Sequence, residues 1–154
     1  MKKILIVVVA LIFVALAANG QLVKAKDGYF YDDNQALYSG EYTEFYDDGS
    51  IKIEMNVKDG EQHGITTLYY RNGQKKEVRS YHYGRKDGEW ITYLEDGTRK
   101  AIARYHKNKK DGVWKIFDKN GTLRTEMHYD KGNKTGSWKM FDANGKLMSE
   151  KNYE

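Results

Sequence analysis

The sequence contains no cysteine and no proline. Because no disulfide can form, the chain is not one of the disulfide-stabilised scaffolds that are common among small secreted proteins. Glycine is frequent, with 15 residues, and aromatic side chains make up 14% of the chain. Regularly spaced glycines and aromatics favour β-hairpins over helices. A chain of 154 residues has room for one domain.

The residue patterns that carry catalysis are also missing. The serines are not accompanied by a motif of histidine and acid, as a nucleophilic triad requires. The glycines are spaced for turns and not for a loop that cradles phosphate. Adjacent carboxylates at Asp32-Asp33 and Asp47-Asp48 are interpreted as turn residues. We therefore predict no catalytic residue and no enzyme activity.

The histidines do not form a convincing metal site. His82 and His106 occupy equivalent positions one repeat apart, so their backbones are expected to lie ~9.6 Å from each other. Zinc requires each ligating nitrogen within about 2.1 Å. The equivalent positions elsewhere hold Lys58, Asp130 and Glu154, so no third ligand recurs. We predict no bound metal and no cofactor.

The first twenty residues differ from the rest of the chain. Two lysines precede an apolar run from Ile4 to Ala18, and small residues follow. This is the pattern of a secretory signal peptide, and the run is shorter than the ~20 apolar residues of a spanning helix. Cleavage after Ala17 and cleavage after Gly20 both fit. We predict a signal peptide at residues 1–20 and a secreted, periplasmic or cell-surface location; the alternative is an N-terminal membrane anchor.

Charge is small overall and unevenly distributed. The chain has 26 basic and 22 acidic residues; removing the two leader lysines leaves 24 against 22, a net charge of +2. Acidic residues concentrate between Asp27 and Glu61, and basic residues between Arg71 and Lys139. Such asymmetry can orient a partner or favour end-to-end association. A secreted chain of so small a net charge is not expected to bind nucleic acid.

A repeat of 24 residues occupies the remainder of the chain. The segment 112–121 reads GVWKIFDKNG, and 136–145 reads GSWKMFDANG in the same frame. Glycines recur at both ends of this frame in every copy. We predict residues 21–39 to be a lead-in, a degenerate half-repeat that caps the first full one. The five repeats are predicted at 40–63, 64–87, 88–111, 112–135 and 136–154.

Each repeat is predicted to be a β-hairpin. The first glycine opens a strand that ends in Asp-Gly or Asn-Gly, which suits a type I′ turn because both residues tolerate positive φ. The second strand, such as 122–130, alternates apolar and polar residues and closes with a longer turn such as 131–136. Phe117 has the opposite parity to Trp114, so either it faces away or a bulge re-phases the strand. The predicted fold is all-β: a single elongated, twisted antiparallel β-meander of five 24-residue hairpins.

The repeat motif is Gly-x-Trp-x-x-Phe/Tyr, an Asn-Gly or Asp-Gly turn, and Leu-x-x-Glu-x-x-Tyr before the next glycine. It resembles the MORN-repeat variant family, including the bacterial YwqK-family antitoxin-like proteins, from Leu37 to Tyr153. The resemblance implies a MORN-like sheet that binds protein or membrane lipid without catalysis, and the antitoxin label implies neutralisation of a partner protein. The tyrosine-aspartate repeats of secreted toxin shells are also similar, through 117–123 and 141–147. The Gly-x-Trp entry and the strict spacing favour the MORN variant.

Aromatic side chains recur in rows that suit a peptide, a glycan or another protein's apolar strip. The alternative is that these rings are only the core of a thin sheet. The predicted binding ladder consists of Tyr42, Trp90, Trp114 and Trp138. The flanking rows are Phe45, Tyr69, Tyr93, Phe117 and Phe141, and Tyr81, Tyr105, Tyr129 and Tyr153.

Basic residues of the longer turns form the second predicted contact surface, at one edge of the sheet. Such a basic rim can meet anionic lipid head groups or an acidic partner. The alternative is a solvated set of turns that keeps the sheet edge from pairing. The predicted rim consists of Arg85, Lys86, Lys107, Lys109, Lys110, Lys131 and Lys134.

Taken together, these patterns predict an exported, non-enzymatic module that binds another protein, with an antitoxin-like or immunity-like role. The expected partner is a toxin or an envelope protein. The alternative function is a tether to the membrane surface or to a cell-envelope polymer through the basic rim. The sheet edge that ends at Tyr153 is a further candidate surface, for self-association.

Overall fold

The computed structural model describes residues 22–154, so the predicted signal peptide and both cleavage points lie outside the described residues. None of the described residues belongs to a helix that is long and apolar enough to cross a membrane. The strands are β1 (Val23–Lys24), β2 (Phe30–Tyr31), β3 (Gly40–Phe45), β4 (Ile51–Lys58), β5 (Glu61–Tyr69), β6 (Lys75–His82), β7 (Arg85–Tyr93), β8 (Arg99–His106), β9 (Lys109–Lys110), β10 (Gly112–Phe117), β11 (Leu123–Asp130), β12 (Asn133–Phe141) and β13 (Leu147–Tyr153).

One antiparallel sheet contains every strand from β3 to β13. Its spatial order is its order along the chain, with β9 pairing beside β8 before the chain enters β10. The strands β1 and β2 form a separate two-stranded sheet. The prediction of a single antiparallel β-meander built from hairpin repeats is therefore confirmed.

The first glycine of a repeat lies within a strand in three of the five repeats. The strands β5, β7 and β12 begin three residues before Gly64, Gly88 and Gly136 respectively. At Gly88 the register passes from the Arg79–Trp90 pair to Tyr81–Lys86, so Ser80 faces three residues of β7. The expectation that the glycine opens the strand was wrong there, because the strand continues through a bulge that glycine permits with its φ of 95°.

The turns predicted as type I′ have a different conformation. At Asp48-Gly49 only the glycine has positive φ, at 83°. The Gly49 N–H donates to Tyr46 O, and the Tyr46 N–H donates to Ser50 O. This is a type I turn followed by a glycine bulge, and the other four Asp-Gly and Asn-Gly turns also have positive φ only at glycine. Asp and Asn fit that turn as well as type I′, so the dipeptide alone did not discriminate between the two.

The predicted longer turns are in fact tight. Asp59 and Gly60 have φ of 50° and 77°, and Lys107 and Asn108 have 48° and 69°. Positive φ at both central residues is the signature of type I′. The strands on either side pair directly, as Lys58 with Glu61 and His106 with Lys109. The glycine-containing segment that was read as part of a long turn is instead the bulged start of the next strand.

The register also places the two aromatic rows on opposite faces of the sheet. Trp114 pairs with Met127, and their neighbours Lys115 and Glu126 pair on the other face. At the position equivalent to Phe117, the Tyr69 hydroxyl donates to Glu54 at 2.5 Å. Glu54 alternates with Met55 and is equivalent to Glu126, so the Phe/Tyr row lies on the face without tryptophan. We call the tryptophan side the ladder face and the other the reverse face.

Burial is concentrated at the N-terminal end of the sheet. Met55 and Val57 retain 8% and 4% of their surface, and Thr66 retains 3%. The lead-in lies against this end: the Phe30 N–H donates to Gly60 O at 2.8 Å. Leu22, Lys24 and Phe30 line a cavity together with Tyr42, Met55 and Thr66. The first repeats therefore have a covered core, whereas side chains further along are half-buried or exposed.

Candidate functional site

Seven aromatic rings form an unbroken series across the ladder face. The three tryptophans come from the first strands of their repeats, and the four tyrosines come from the second strands. Neighbouring ring centroids are 5.0–5.3 Å apart, and the rings are inclined to one another by 54° to 66°. Inclined packing at this distance is a preferred arrangement of aromatic pairs. The aromatic ladder consists of Tyr81, Trp90, Tyr105, Trp114, Tyr129, Trp138 and Tyr153.

A backbone carbonyl ten residues earlier holds each tryptophan. The indole N–H of Trp90 donates to Ser80 O at 3.0 Å. The same bond joins Trp114 to Arg104 O at 2.9 Å, and Trp138 to His128 O at 3.0 Å. Ser80 is the residue that faces the bulge at Gly88. The recurrent Gly-x-Trp motif is thus one unit, in which the glycine makes the bulge and the indole bonds to the residue opposite.

A lysine lies over each pair of a tryptophan and the tyrosine that follows it. The Nζ of Lys86 is 4.3 Å from the Trp90 centroid and 4.9 Å from that of Tyr105. The Nζ of Lys110 is 4.3 Å and 4.7 Å from the next two centroids, and that of Lys134 is 4.5 Å and 5.3 Å from the last two. All six distances are within the range of cation–π attraction. The recurrence of lysine every 24 residues was the available signal for this arrangement.

The structure therefore divides the predicted basic rim. Lys86, Lys110 and Lys134 belong to the ladder face, because the bulge brings each of them beside the tryptophan four residues later. Their predicted position on an outer edge was wrong for this reason. The remaining four are exposed at the edge that carries the type I′ turns. We call these four the turn rim: Arg85, Lys107, Lys109 and Lys131.

Tyr42 stands apart from the ladder that it was predicted to begin. It pairs with Met55, which in turn pairs with Thr66, the residue that replaces tryptophan in the second repeat. Its environment is the cavity lined by the lead-in. Burial, followed by the charge of Glu44, raises the pKa of the Tyr42 hydroxyl. The structure brings Trp90, Trp114 and Trp138 together, therefore, but not Tyr42.

Charge is arranged differently on the two faces. On the reverse face, Lys115 lies 3.5 Å from Glu126 and Lys139 lies 4.0 Å from Glu150. Within residues 22–154, the three lysines of the ladder face have no carboxylate oxygen within ion-pair distance. Burial raises the pKa of the Tyr81 and Tyr105 hydroxyls, which keeps these rings neutral at ordinary pH. The ladder face therefore presents a row of unneutralised ammonium groups over neutral rings.

The histidines lie near the type I′ turns of the second and third repeats. The rings of His63 and His82 are 5.3 Å apart, and His63 is 4.5 Å from Tyr83. His106 Nδ1 lies 3.4 Å from Asp87 Oδ2. In the described part of the chain, no group of three or more His, Cys, Asp or Glu side chains could hold a metal ion.

Comparison with known families gives four matches in one phase. Residues 38–59, 62–83, 110–131 and 134–154 match a family model described as MORN repeat variant. Together these segments account for more than half of the chain. The last two begin at Lys110 and Lys134, so the family unit starts at the ladder lysine and includes the Gly-x-Trp motif. No curated protein matches the sequence significantly.

Proposed function

The chain belongs to the MORN repeat variant family, and on that premise we propose that it is a non-enzymatic repeat protein that binds another protein along its ladder face. The observation that carries this proposal is the unbroken series of seven rings, bordered by three lysines, on one face of a single-layer sheet. Aromatic side chains are enriched at protein interfaces, where they supply much of the binding energy. A row of them spanning three repeats offers an elongated contact surface.

The proposal extends to location and role. The leader pattern at residues 1–20 supports export, and the partner is then a protein of the cell envelope or a secreted toxin. In the second case the chain acts in an antitoxin-like or immunity-like manner, as the resemblance of its repeats implies. Binding through a rigid repeat surface needs no catalytic group, which is consistent with the proposed absence of enzyme activity.

Paired aromatic substitutions on the two faces test this proposal. Replacing Trp114 and Trp138 by Ala is expected to abolish capture of the partner from an envelope extract. The matched control replaces Phe117 and Phe141, which have the opposite parity on the same two strands, and is expected to leave capture intact. Circular dichroism establishes that both variants retain the sheet. A folded tryptophan variant that still captures the partner would refute binding through the ladder face.

A second candidate function is a tether to the membrane surface or to an anionic envelope polymer through the turn rim. It is favoured by the common position of Arg85, Lys107, Lys109 and Lys131 at one exposed edge. Basic residues at such an edge attract anionic surfaces, and salt weakens the attraction. Binding to anionic vesicles that falls with salt and disappears on changing Lys107, Lys109 and Lys131 to Glu would support it. Binding indifferent to salt would exclude it.

A further inference from the structure

We propose that the ladder face recognises a peptide in the polyproline II conformation that carries an acidic residue at every third position. This inference rests on the proposed function of that face as a protein-binding surface and names the chemistry of the partner segment. Three features carry it: the spacing of the ladder lysines, their lack of carboxylate partners, and the rings beneath them.

The spacing of the ladder favours a ligand with a repeat of three residues. Equivalent residues in successive repeats are separated by two strands, or ~9.6 Å. The rings follow the same progression, with steps of 5.3 Å from Trp90 to Tyr105 and 5.2 Å from Tyr105 to Trp114. One turn of polyproline II contains three residues and advances ~9.3 Å. Along three lysines the accumulated mismatch is only ~0.6 Å by these values.

Other peptide conformations fit the lysine row less well. In a β-strand, side chains on one face recur every ~6.8 Å, so alternate acids would fall between the lysines. In an α-helix, side chains seven residues apart recur every ~10.5 Å, and the mismatch reaches ~1.8 Å over two steps. The comparison selects polyproline II because its period is the nearest to that of two strands.

The charge on the ladder face specifies the acidic residue. Lys86, Lys110 and Lys134 hold equivalent positions over the rings and, among the described residues, have no carboxylate within 4.0 Å. The rings restrict each ammonium group without neutralising it. The lysines of the reverse face are instead paired with glutamates of the neighbouring strand. A ligand with one carboxylate per turn would therefore meet one unneutralised ammonium group per repeat.

The rings suit the remaining residues of such a peptide. Proline-rich segments bind to surfaces lined by aromatic side chains, and their conformation is largely formed before binding. The seven inclined rings form shallow notches between neighbours in which pyrrolidine rings can pack. Two apolar residues and one acid in each turn thus match two rings and one lysine in each repeat.

Two peptides of identical composition test the spacing. One contains five Pro-Pro-Glu triplets, and the other places the same glutamates in one central block between prolines. Each is labelled with a fluorophore, and its affinity for the full chain is measured by fluorescence anisotropy. The triplet peptide is expected to bind about tenfold more tightly, since three weak ion pairs form together only in the correct register. Equal affinities would overturn the proposed spacing.

Two variants of identical charge test the site. Changing Lys86, Lys110 and Lys134 to Gln is expected to weaken binding of the triplet peptide about tenfold. The matched control changes Lys107, Lys109 and Lys131 to Gln, which removes the same charge from the turn rim, and is expected to alter affinity by less than about twofold. Equal losses would mean diffuse attraction and would overturn the assignment to the ladder. Binding to anionic vesicles that the ladder variant loses and the triplet peptide fails to displace would overturn a peptide as the ligand.

The outcome also separates this inference from the proposed function. If the tryptophan variant loses its envelope partner while the triplet peptide does not bind the unaltered chain, the polyproline II inference fails and the ladder face remains a protein-binding surface. If the tryptophan variant keeps its partner, the proposed function fails instead. Tight binding of the triplet peptide with loss in the lysine variant supports the inference itself.

Discussion

The two ends of the sheet use the same hairpin but stabilise it in different ways. At the N-terminal end, the lead-in covers the ladder-face side, and Met55, Val57 and Thr66 are buried beneath it or beside it. At the C-terminal end, the seven-ring ladder lies where the cover would be. The position occupied by Thr66 in the second repeat holds tryptophan in each later one. Tryptophan is therefore the residue that replaces a covering segment in this chain.

The physical reason is that a single-layer sheet has nothing behind it to exclude water. A covering segment buries apolar side chains directly, as at Met55. Where no cover exists, large rings packed against one another remove part of their own surface from water, and lysine stems lying over them remove more. Each indole N–H also bonds to the carbonyl of the residue that faces the bulge, as at Ser80.

Alanine at Gly60 is expected to have the largest effect on this comparison, because it attacks the covered end. A Cβ there would lie 2.6 Å from Leu37 Cδ2 and 3.2 Å from Phe30 O, at a φ of +77°. We expect a loss of about 2–4 kcal/mol in the free energy of unfolding, from backbone strain and displacement of the lead-in together. The measurement is urea unfolding of Gly60→Ala. The control is Gly121→Ala, which has a similar φ of +79° but only an ordinary contact 3.7 Å away, so a loss of about 1–2 kcal/mol is expected.

Equivalent methionines provide the next test of the same difference. Met55 is buried beside the lead-in, whereas Met127 occupies the same repeat position beneath the open ladder and is only half-buried. Met55→Ala is expected to cost about 2–3 kcal/mol and Met127→Ala about 1 kcal/mol, since the cost follows the buried volume removed. Denaturant midpoints of the two variants measure this. Equal losses would show that the ladder buries its methionine as well as the lead-in does.

Removing a single N–H examines the ladder end alone. Trp114→Phe keeps an aromatic ring but loses the bond to Arg104 O, and a loss of about 1 kcal/mol is expected. Tyr42→Phe, at the same repeat position under the lead-in, is expected to change stability by less than about 0.5 kcal/mol. Thermal unfolding monitored by tryptophan fluorescence and by circular dichroism compares them. A larger effect at Tyr42 would contradict the division of roles between the two ends.

Acid is expected to give the smallest effect, and to act on the cover only. Asp27 accepts hydrogen bonds from the Tyr29 N–H at 3.0 Å and the Tyr31 hydroxyl at 2.8 Å. These bonds, the first named being the stronger cause, lower the pKa of Asp27 below its ordinary value. A lowered pKa means that the contribution is present above the pKa of the unfolded chain and is lost as pH falls through that of the folded one.

Hydrogen exchange measures that acid response. Between pH ~5 and ~2, protection factors of amides in residues 22–38 are expected to fall, because Asp27 then becomes protonated. The indole N–H groups of the ladder are expected to keep their protection, since the ladder contains only neutral rings and lysines. Asp27→Asn is expected to remove the acid dependence of the lead-in. A ladder that loosens first would reverse the comparison.

Much of the fold was predictable because it depends on periodicity. Glycines at fixed positions 24 residues apart, with alternation in the second strands, indicated a meander of hairpins and placed Trp114 and Phe117 out of phase with each other. The turn types were not predictable, since Asn120-Gly121 is compatible with a type I turn plus bulge as well as with type I′. Lys131-Gly132, which does adopt positive φ at both residues, looked like part of a longer loop.

The candidate site was partly predictable. The tryptophan row followed directly from the repeat, but Lys110 was assigned to an outer edge because the bulge at Gly112 was not anticipated. Tyr42 was assigned to the ladder by its repeat position, although the nearest tryptophan is two repeats away. Strand parity indicates the face of a side chain only where the register is regular, and these residues lie beside bulges or under the lead-in.

The amino-acid sequence by itself determined the repeat, its hairpins and the order of the strands, because each depends on residues close together in the chain. Only the tertiary structure decided which rings touch, where the ladder begins and which lysines lie over it. Those outcomes depend on the bulges, which shift one strand against the next, and on the lead-in, which covers one end of the sheet. Both are relations between segments that local patterns do not encode.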